Sequence, residues 1–140
     1  MEHDGAGLLG EVHRLVHATA LVVERASDGR LTQAEAFVLW HLRLGPATMS
    51  DLHRAFGHRH STLTSVVDRL ERKALVTREN DARDRRTVVV SLTGGGKRAV
   101  RPIAAAFDGL EAEAVRGAGR AKVAAFREIV WRLIHAAETV

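Results

Sequence analysis

A change in hydrophobic spacing just past the middle of the chain constrains the fold more than any other feature of the sequence. Before it, apolar residues recur at three- and four-residue intervals between Leu63 and Leu70, which indicates a helix over about residues 60–73. Beyond it, residues 75–78 and 87–92 are rich in β-branched side chains and predict two strands. A polar, strongly charged loop joins the strands, so a helix must lead directly into a β-hairpin.

Helical patterns flank this region on both sides. Thr32, with Glu35 three residues later, predicts a capping box at a helix start, and Leu44-Gly45-Pro46 predicts the end of that helix. Gly57 is expected to end a short helix, and Thr93 to cap a long one. The complete order is four helices, a hairpin and two helices, with the flanking helices at about 7–26, 32–44, 50–56, 94–116 and 120–137.

Two short helices separated by a tight turn and followed by a hairpin have the outline of a winged helix-turn-helix. Apolar residues and a glycine occupy the offsets that fill such a helix crossing and turn its corner, namely Leu52, Gly57, Leu63 and Val66. The second helix can then lie in the DNA major groove, and its first turns carry almost only hydrogen-bonding side chains. The candidate DNA-binding residues of this segment are His58, Arg59, His60, Ser61, Thr62, Thr64, Ser65 and Arg69.

The surplus positive charge lies in the same central segment. The chain has a formal net charge of +4. Between Arg54 and Arg86 there are nine Lys or Arg against five Asp or Glu, and the charges of the remaining segments cancel. Such a stretch is expected of a surface that meets a phosphate backbone, although a solvated helix face would have the same composition.

The central segment resembles the multiple antibiotic resistance regulator (MarR) family. The resemblance covers about residues 48–98 and is carried by Ser61–Val76, by Arg78–Arg86 and by Val90–Thr93. Its most specific part is an Asp84-Arg85-Arg86 hairpin tip followed by a strand that closes in Leu92-Thr93. Acidic and basic residues rarely recur by chance at a hairpin tip before such a strand.

The resemblance implies roles for the hairpin, the wing of this fold. Arg86, with Arg83 or Arg85, would enter the DNA minor groove, where the negative potential favours guanidinium groups. Asp84 would hold that arginine in place rather than touch DNA, because phosphate repels a carboxylate. Taken alone, the same tip would be interpreted as a solvated turn.

Two positions depart from the family pattern. Ala74 stands where the family usually has glycine after the recognition helix, and a positive φ there would cost alanine about 1 kcal/mol. His53 stands in the first helix of the motif, where a small residue is usual.

The expected fold is therefore mainly α, a winged helix-turn-helix with a two-stranded antiparallel wing plus N- and C-terminal dimerisation helices. We expect a single domain over 1–140, with a DNA-binding lobe at 31–93 and dimerisation helices at 5–27 and 94–140. The apolar surface of the terminal helices exceeds what the central third can cover, which predicts a homodimer. A homodimer would bind double-stranded DNA at a pseudo-palindromic operator, and we expect a repressor.

A group of aromatic and histidine side chains is a candidate effector site. The resemblance implies a ligand between the dimerisation helices and the DNA-binding lobe, and its expected lining is His13, His17, Phe37, Trp40 and His41. These groups would suit a small aromatic or anionic compound, although the same residues could be plain core. His13 and His17 have a spacing that can share a metal ion. The sequence does not assign a third ligand, although His41 is a candidate, and no metal site is predicted.

Several function classes are excluded or disfavoured. The chain has no cysteine, which rules out disulfides and thiolate metal sites. Serines next to histidines, such as Ser61 after His60, are adjacent in a helix and point in different directions. Gly94-Gly95-Gly96-Lys97 lacks the spacing of a phosphate-binding loop, so we expect neither an enzyme nor a cofactor. No stretch is apolar enough for a membrane span, and we expect a cytoplasmic protein.

Two alternative functions remain open from the sequence. One is a protein-interaction module on a winged-helix scaffold, which need not keep a basic wing. The other is a metal-responsive regulator, whose DNA affinity would change with a chelator.

Overall fold

The computed structural model describes residues 7–57 and 59–140, without the side chain of His60. The predicted mainly α, winged helix-turn-helix fold is confirmed. In chain order, the elements of the described residues are α1 (Gly7–Ala26), α2 (Gln33–Leu42), β1 (Ala47–Thr48), α3 (Met49–Phe56), α4 (His60–Arg72), β2 (Val76–Asn80), β3 (Val88–Leu92), α5 (Gly94–Ala114) and α6 (Gly119–Glu138).

The described chain forms two compact units. One extends to Ala106 and contains α1 to β3 and the first part of α5; the other is Phe107–Val140. The division into a lobe at 31–93 with dimerisation helices at 5–27 and 94–140 stays a prediction. Residues 5 and 6 of the first dimerisation helix lie outside the described residues.

Side-chain caps set the starts of α2 and α3. Thr32 Oγ1 accepts from the Glu35 amide at 3.2 Å and Glu35 Oε2 accepts from the Thr32 amide at 3.1 Å, so the predicted capping box is confirmed. Thr48 and Asp51 form a second box at the start of α3. Gly57 ends α3 with φ +61°, as predicted.

The small sheet has the strand order β1-β3-β2. β2 and β3 form the predicted antiparallel hairpin, with Val76 opposite Leu92 and Asn80 opposite Val88. The predicted two-stranded wing is therefore confirmed, and a short strand that the sequence did not predict, β1, extends the sheet by pairing its Ala47 with Val90. Two residues are too short to show the alternation by which strands are recognised in a sequence.

Apolar side chains of α2, α3 and α4 form the core of the first unit together with β2 and β3. Leu52, Leu63 and Val66, predicted to fill the crossing of α3 and α4, are all buried. Leu39 and Val90 add the contributions of α2 and the sheet. The buried face of α4 therefore fixes which of its side chains can reach solvent.

The turn from α4 into β2 is a left-handed helix terminus formed by an alanine. Ala74 has φ +57°, in the left-handed region. A positive φ was considered for this position because the MarR family usually has glycine there. The Leu75 amide donates to the Leu70 carbonyl at 3.0 Å and the Ala74 amide to the Glu71 carbonyl at 2.9 Å, which is the Schellman pattern. Cβ of Ala74 is therefore strained at this point.

The first turn of α5 is joined to this same turn. Thr93 caps α5 as predicted, since its Oγ1 accepts from the Gly96 amide at 3.0 Å and donates to the Ala74 carbonyl at 2.6 Å. The Thr93 amide donates to the Leu75 carbonyl at 3.0 Å. A Cβ on Gly96 would lie 2.0 Å from the Leu75 carbonyl oxygen, so this close approach requires glycine.

We predict that Ala74→Gly raises the free energy of unfolding by about 0.5–1 kcal/mol, because relief of the left-handed strain exceeds the added entropy of the unfolded chain. Urea denaturation measures this difference. Ala125→Gly, on the exposed side of α6, is the matched control and should lower stability by a similar amount. Equal destabilisation by both substitutions would contradict the strain at Ala74.

Candidate nucleic-acid interface

The outer face of α4 is a polar, exposed surface. Leu63 and its apolar neighbours face the core, whereas Ser61, Thr62, Thr64 and Ser65 are exposed. Arg59 stands exposed at the start of the helix. Of the remaining candidates of this segment, His58 lies outside the described residues, as does the side chain of His60.

Side-chain hydrogen bonds order the wing loop between β2 and β3. Asp81 Oδ1 accepts from the Arg83 amide at 2.9 Å, and Asp84 Oδ1 accepts from the Arg86 amide at 3.0 Å. Arg83, Arg85 and Arg86 are all exposed, and the Arg86 side chain is 97% exposed. Asp84 Oδ1 also lies 3.8 Å from Arg86 Nε, and the holding role that the resemblance implied stays a prediction.

A salt bridge that the sequence did not predict connects the wing to α4. Arg78 on β2 lies 2.6 Å from Asp68 Oδ1 and 3.1 Å from Glu71 Oε1, both on α4. The hydrogen bond to Glu71, together with that to Asp68, raises the pKa of Arg78 above its usual value. Helix and wing are thereby held as one surface.

A buried carboxylate holds the other side of α4. The Glu35 side chain is 0% exposed, and its Oε1 and Oε2 lie 2.9 Å from Arg69 Nε and 2.6 Å from Lys73 Nζ. Burial acts to raise the pKa of Glu35, but hydrogen bonds from Lys73, Arg69 and the Thr32 amide outweigh it and hold that pKa below its ordinary value of 4.5. We call these three side chains the Glu35 clamp; Arg69, predicted to bind DNA, belongs to it.

We predict that Glu35→Gln lowers the free energy of unfolding at pH 7 by about 2–4 kcal/mol, because it removes the charge that Arg69 and Lys73 share. The lowered folded-state pKa means that the stabilisation is present above pH 4.5 and is lost as the pH falls through the folded-state value. Urea titrations of both proteins from pH 7 to pH 3 should therefore converge at the acid end. A difference independent of pH would contradict the ionised clamp.

The candidate effector residues lie on two helices, with three of them in ring contacts on α2 and two exposed on α1. Phe37 and Trp40 meet edge to face at 6.0 Å, whereas His41 packs against Phe56 at 5.5 Å. His13 and His17 are exposed on α1. Within the described residues, no group of three or more His, Asp or Glu side chains is placed to hold a metal ion.

The helix pair α3 and α4, followed directly by the β2–β3 hairpin, places the fold in the class of winged helix-turn-helix proteins. Residues 31–87 match the sequence profile of the MarR family. The match lies within the central part of the chain and agrees with the resemblance seen in the sequence. The curated relatives that the chain matches include two transcriptional repressors.

Known relatives and solved structures show the same likeness. The chain is 35% identical over 79 residues to the transcriptional repressor NicR of Pseudomonas putida, a match that covers 56% of this chain and 50% of NicR. The chain thus spans about half the length of the curated relatives it matches.

The fold is similar to two solved structures over nearly its whole length. BpsR of Bordetella bronchiseptica, whose DNA binding is regulated by 6-hydroxynicotinic acid, has a TM-score of 0.68 at 23% identity and covers 95% of this chain and 97% of its own. MepR of S. aureus in complex with DNA has a TM-score of 0.73 at 21% identity, and the match covers 97% of this chain and 99% of MepR.

In the described part of the chain, every helix is too short or too polar to cross a membrane.

Proposed function

We propose that this chain is a cytoplasmic transcriptional repressor that binds double-stranded DNA as a homodimer. The observation that carries the proposal is the pairing of an exposed polar face on α4 with an exposed arginine tip on the wing, joined through Arg78. Both belong to the same compact unit. This arrangement can present hydrogen-bonding groups to base edges and guanidinium groups to an adjacent groove at once.

The assigned roles follow from side-chain chemistry. Thr64 and Ser65, with Ser61 and Thr62, would meet base edges in the major groove, since hydroxyls can donate to or accept from bases. Arg86, flanked by Arg83 and Arg85 and set by Asp84, would meet the minor groove or its phosphates. The DNA complex of MepR, which shares this fold, supports such a mode of binding. Arg59 is also exposed at the start of α4, whereas Arg69 belongs to the Glu35 clamp. His58 and His60 stay candidates from the sequence alone.

The homodimer is supported by apolar side chains that each unit leaves exposed. On α1, Leu9 is 69% exposed, together with Leu8 and Leu15. On α6, Trp131 is 64% exposed, beside Phe126 and Ile134. Apolar surface on this scale is costly in water and is typical of helices that a second subunit covers. A twofold dimer would match a pseudo-palindromic operator with half-sites about one helical turn apart.

Release by a small aromatic or anionic effector completes the proposal. BpsR, similar in fold, responds to an aromatic acid. The sequence-based lining remains His13, His17, Phe37, Trp40 and His41. A ligand at these residues would act only through different affinities for the DNA-bound and free arrangements.

Selection of bound fragments from random double-stranded DNA, followed by sequencing, tests the proposed function and yields the operator. We expect an inverted repeat to be enriched. No enriched sequence and an affinity that does not change with salt would contradict DNA binding as the function.

On the selected operator, Arg86→Ala should weaken binding and reduce the slope of log affinity against log salt by about 1, because one phosphate-neutralising charge is lost. Fluorescence anisotropy between low and moderate salt measures the slope. Arg116→Ala, which removes an exposed arginine from the second unit, is the control and should leave the slope unchanged. The same slope in all three proteins would remove Arg86 from the interface.

Thr64→Ala should change sequence preference rather than salt dependence, since a hydroxyl facing a base edge carries information but no charge. Repeating the selection with this variant should relax one position in each half-site, at a cost of about 1–3 kcal/mol in discrimination. Thr139→Ala, at the end of α6, should return the original repeat. An unaltered repeat from Thr64→Ala would place this side chain outside the base contacts.

A further inference from the structure

A groove of about 500 Å³ lies between the loop that connects α2 to β1, the end of β3 and the first turns of α5. Its apolar lining is Leu42, Leu44, Pro46, Leu92 and Val100. Leu42 and Val100 are buried, whereas Leu44 is 79% exposed and Pro46 is also exposed. The groove is therefore an open depression with apolar side chains both beneath it and at its rim. None of the residues assigned to DNA lines it.

The polar lining of this groove is cationic. Arg43, Lys97 and Arg101 line it, and the residues that line it include no carboxylate. The absence extends along the chain on both sides of the groove, because residues 36–50 and residues 85–107 contain no Asp or Glu. A partner bound in the groove would therefore meet three positive charges and no negative one.

Two of these cations have no acidic partner, and the third is held in place. Lys97 and Arg101 are exposed and stand four residues apart on α5, where like charges repel each other. Among the described residues, neither forms an ion pair with an acidic side chain. Arg43 Cζ lies 4.4 Å from the centre of the Trp40 ring, and Arg43 Nη1 donates to the Trp40 carbonyl at 2.8 Å. Carboxylates bound between Lys97 and Arg101 would relieve their repulsion without breaking an existing ion pair.

The groove also borders a strand edge that β1 leaves uncovered. β1 is two residues long and pairs with Val89 and Val90. In the described chain, Ser91 and Leu92 therefore pair with β2 alone. Pro46, the residue before β1, has no amide hydrogen with which to continue the pairing. An extended chain is the shape that an uncovered strand edge accepts, whereas a small ligand usually needs a site that encloses most of its surface.

We propose that this groove binds an extended acidic segment of a partner protein, in which carboxylates alternate with aliphatic or aromatic side chains. The apolar side chains pack against Leu44 and Pro46, and the carboxylates meet Arg43, Lys97 and Arg101. The exposed apolar rim favours a peptide over a DNA backbone, because a row of phosphates presents charge but little apolar surface to cover Leu44. Binding of the segment does not rest on the proposed function, since the two sets of residues differ.

Selection from a library of random linear peptides, displayed on phage and exposed to the full chain at low salt, tests the proposal. We expect the enriched peptides to alternate Asp or Glu with Leu, Ile or Phe. The affinity of a fluorescein-labelled enriched peptide, measured by anisotropy, should fall as salt is raised, because salt screens exposed charges. No enriched sequence, or enriched sequences without acidic residues, would overturn the proposal.

Substitutions in the groove locate the peptide. Lys97→Gln and Arg101→Gln should each weaken peptide binding by about threefold to fivefold, through the loss of one exposed ion pair. Leu44→Ser should also weaken it, because an apolar contact is lost at a position too exposed to matter for stability. Arg98→Gln is the matched control, since Arg98 is an exposed cation of the same helix that does not line the groove. It should bind the peptide as the unaltered chain does, and circular dichroism should show every variant folded.

Three further results would overturn the assignment. Equal binding by all four variants would place the peptide elsewhere on the chain, and a loss in Arg98→Gln that matches Lys97→Gln would indicate a general attraction of opposite charges. The third concerns DNA, because Lys97→Gln and Arg101→Gln should leave the salt slope of operator binding unchanged. A slope reduced as in Arg86→Ala would assign these cations to the phosphate backbone instead of a peptide.

Discussion

The winged helix-turn-helix depends on one buried negative charge. Glu35 is removed from water, and an ionised carboxylate is stable there only because Arg69, Lys73 and the Thr32 amide all donate to it. These contacts join the first turn of α2 to the last turns of α4, across more than thirty residues of sequence. Hydrophobic packing tolerates small shifts of one helix over another, whereas hydrogen bonds to a buried charge do so poorly. The clamp therefore fixes the angle at which α4 presents its outer face.

The end of α4 is also where the other elements meet. Its left-handed turn at Ala74 leads into β2, and the carbonyls of Ala74 and Leu75 accept from Thr93 at the start of α5. Gly96 allows α5 to approach this turn more closely than any residue with a Cβ could. The Arg78 salt bridges also connect the wing to α4. A displacement at this turn must therefore involve α4, the wing and α5 together.

Local signals in the sequence predicted most of the fold. The sequence could not show contacts between residues that are far apart in the chain. The capping box at Thr32, the glycine that ends α3 and the β-branched strands each depend on neighbours in the chain, so their interpretation was confirmed. Glu35 was recognised only as a capping residue, because its partners on α4 become neighbours only after folding. For the same reason the sequence did not predict that Arg78 connects β2 to α4. The strand β1 is defined solely by its partner β3, and two residues carry no pattern of their own.

The charge count illustrates the same limit for the interface. Nine basic residues in the central segment predicted a surface for phosphate, but composition treats them as equivalent. In the folded chain they are not equivalent, because Arg69, Lys73 and Arg78 form salt bridges with carboxylates of the same unit. The arginines at the wing tip are instead exposed, and the aspartates beside them mainly order the loop backbone. A cation already paired in the free protein gains little from a phosphate, since binding must first break its existing contact. The wing, more than α4, is therefore where the salt dependence of DNA binding should originate.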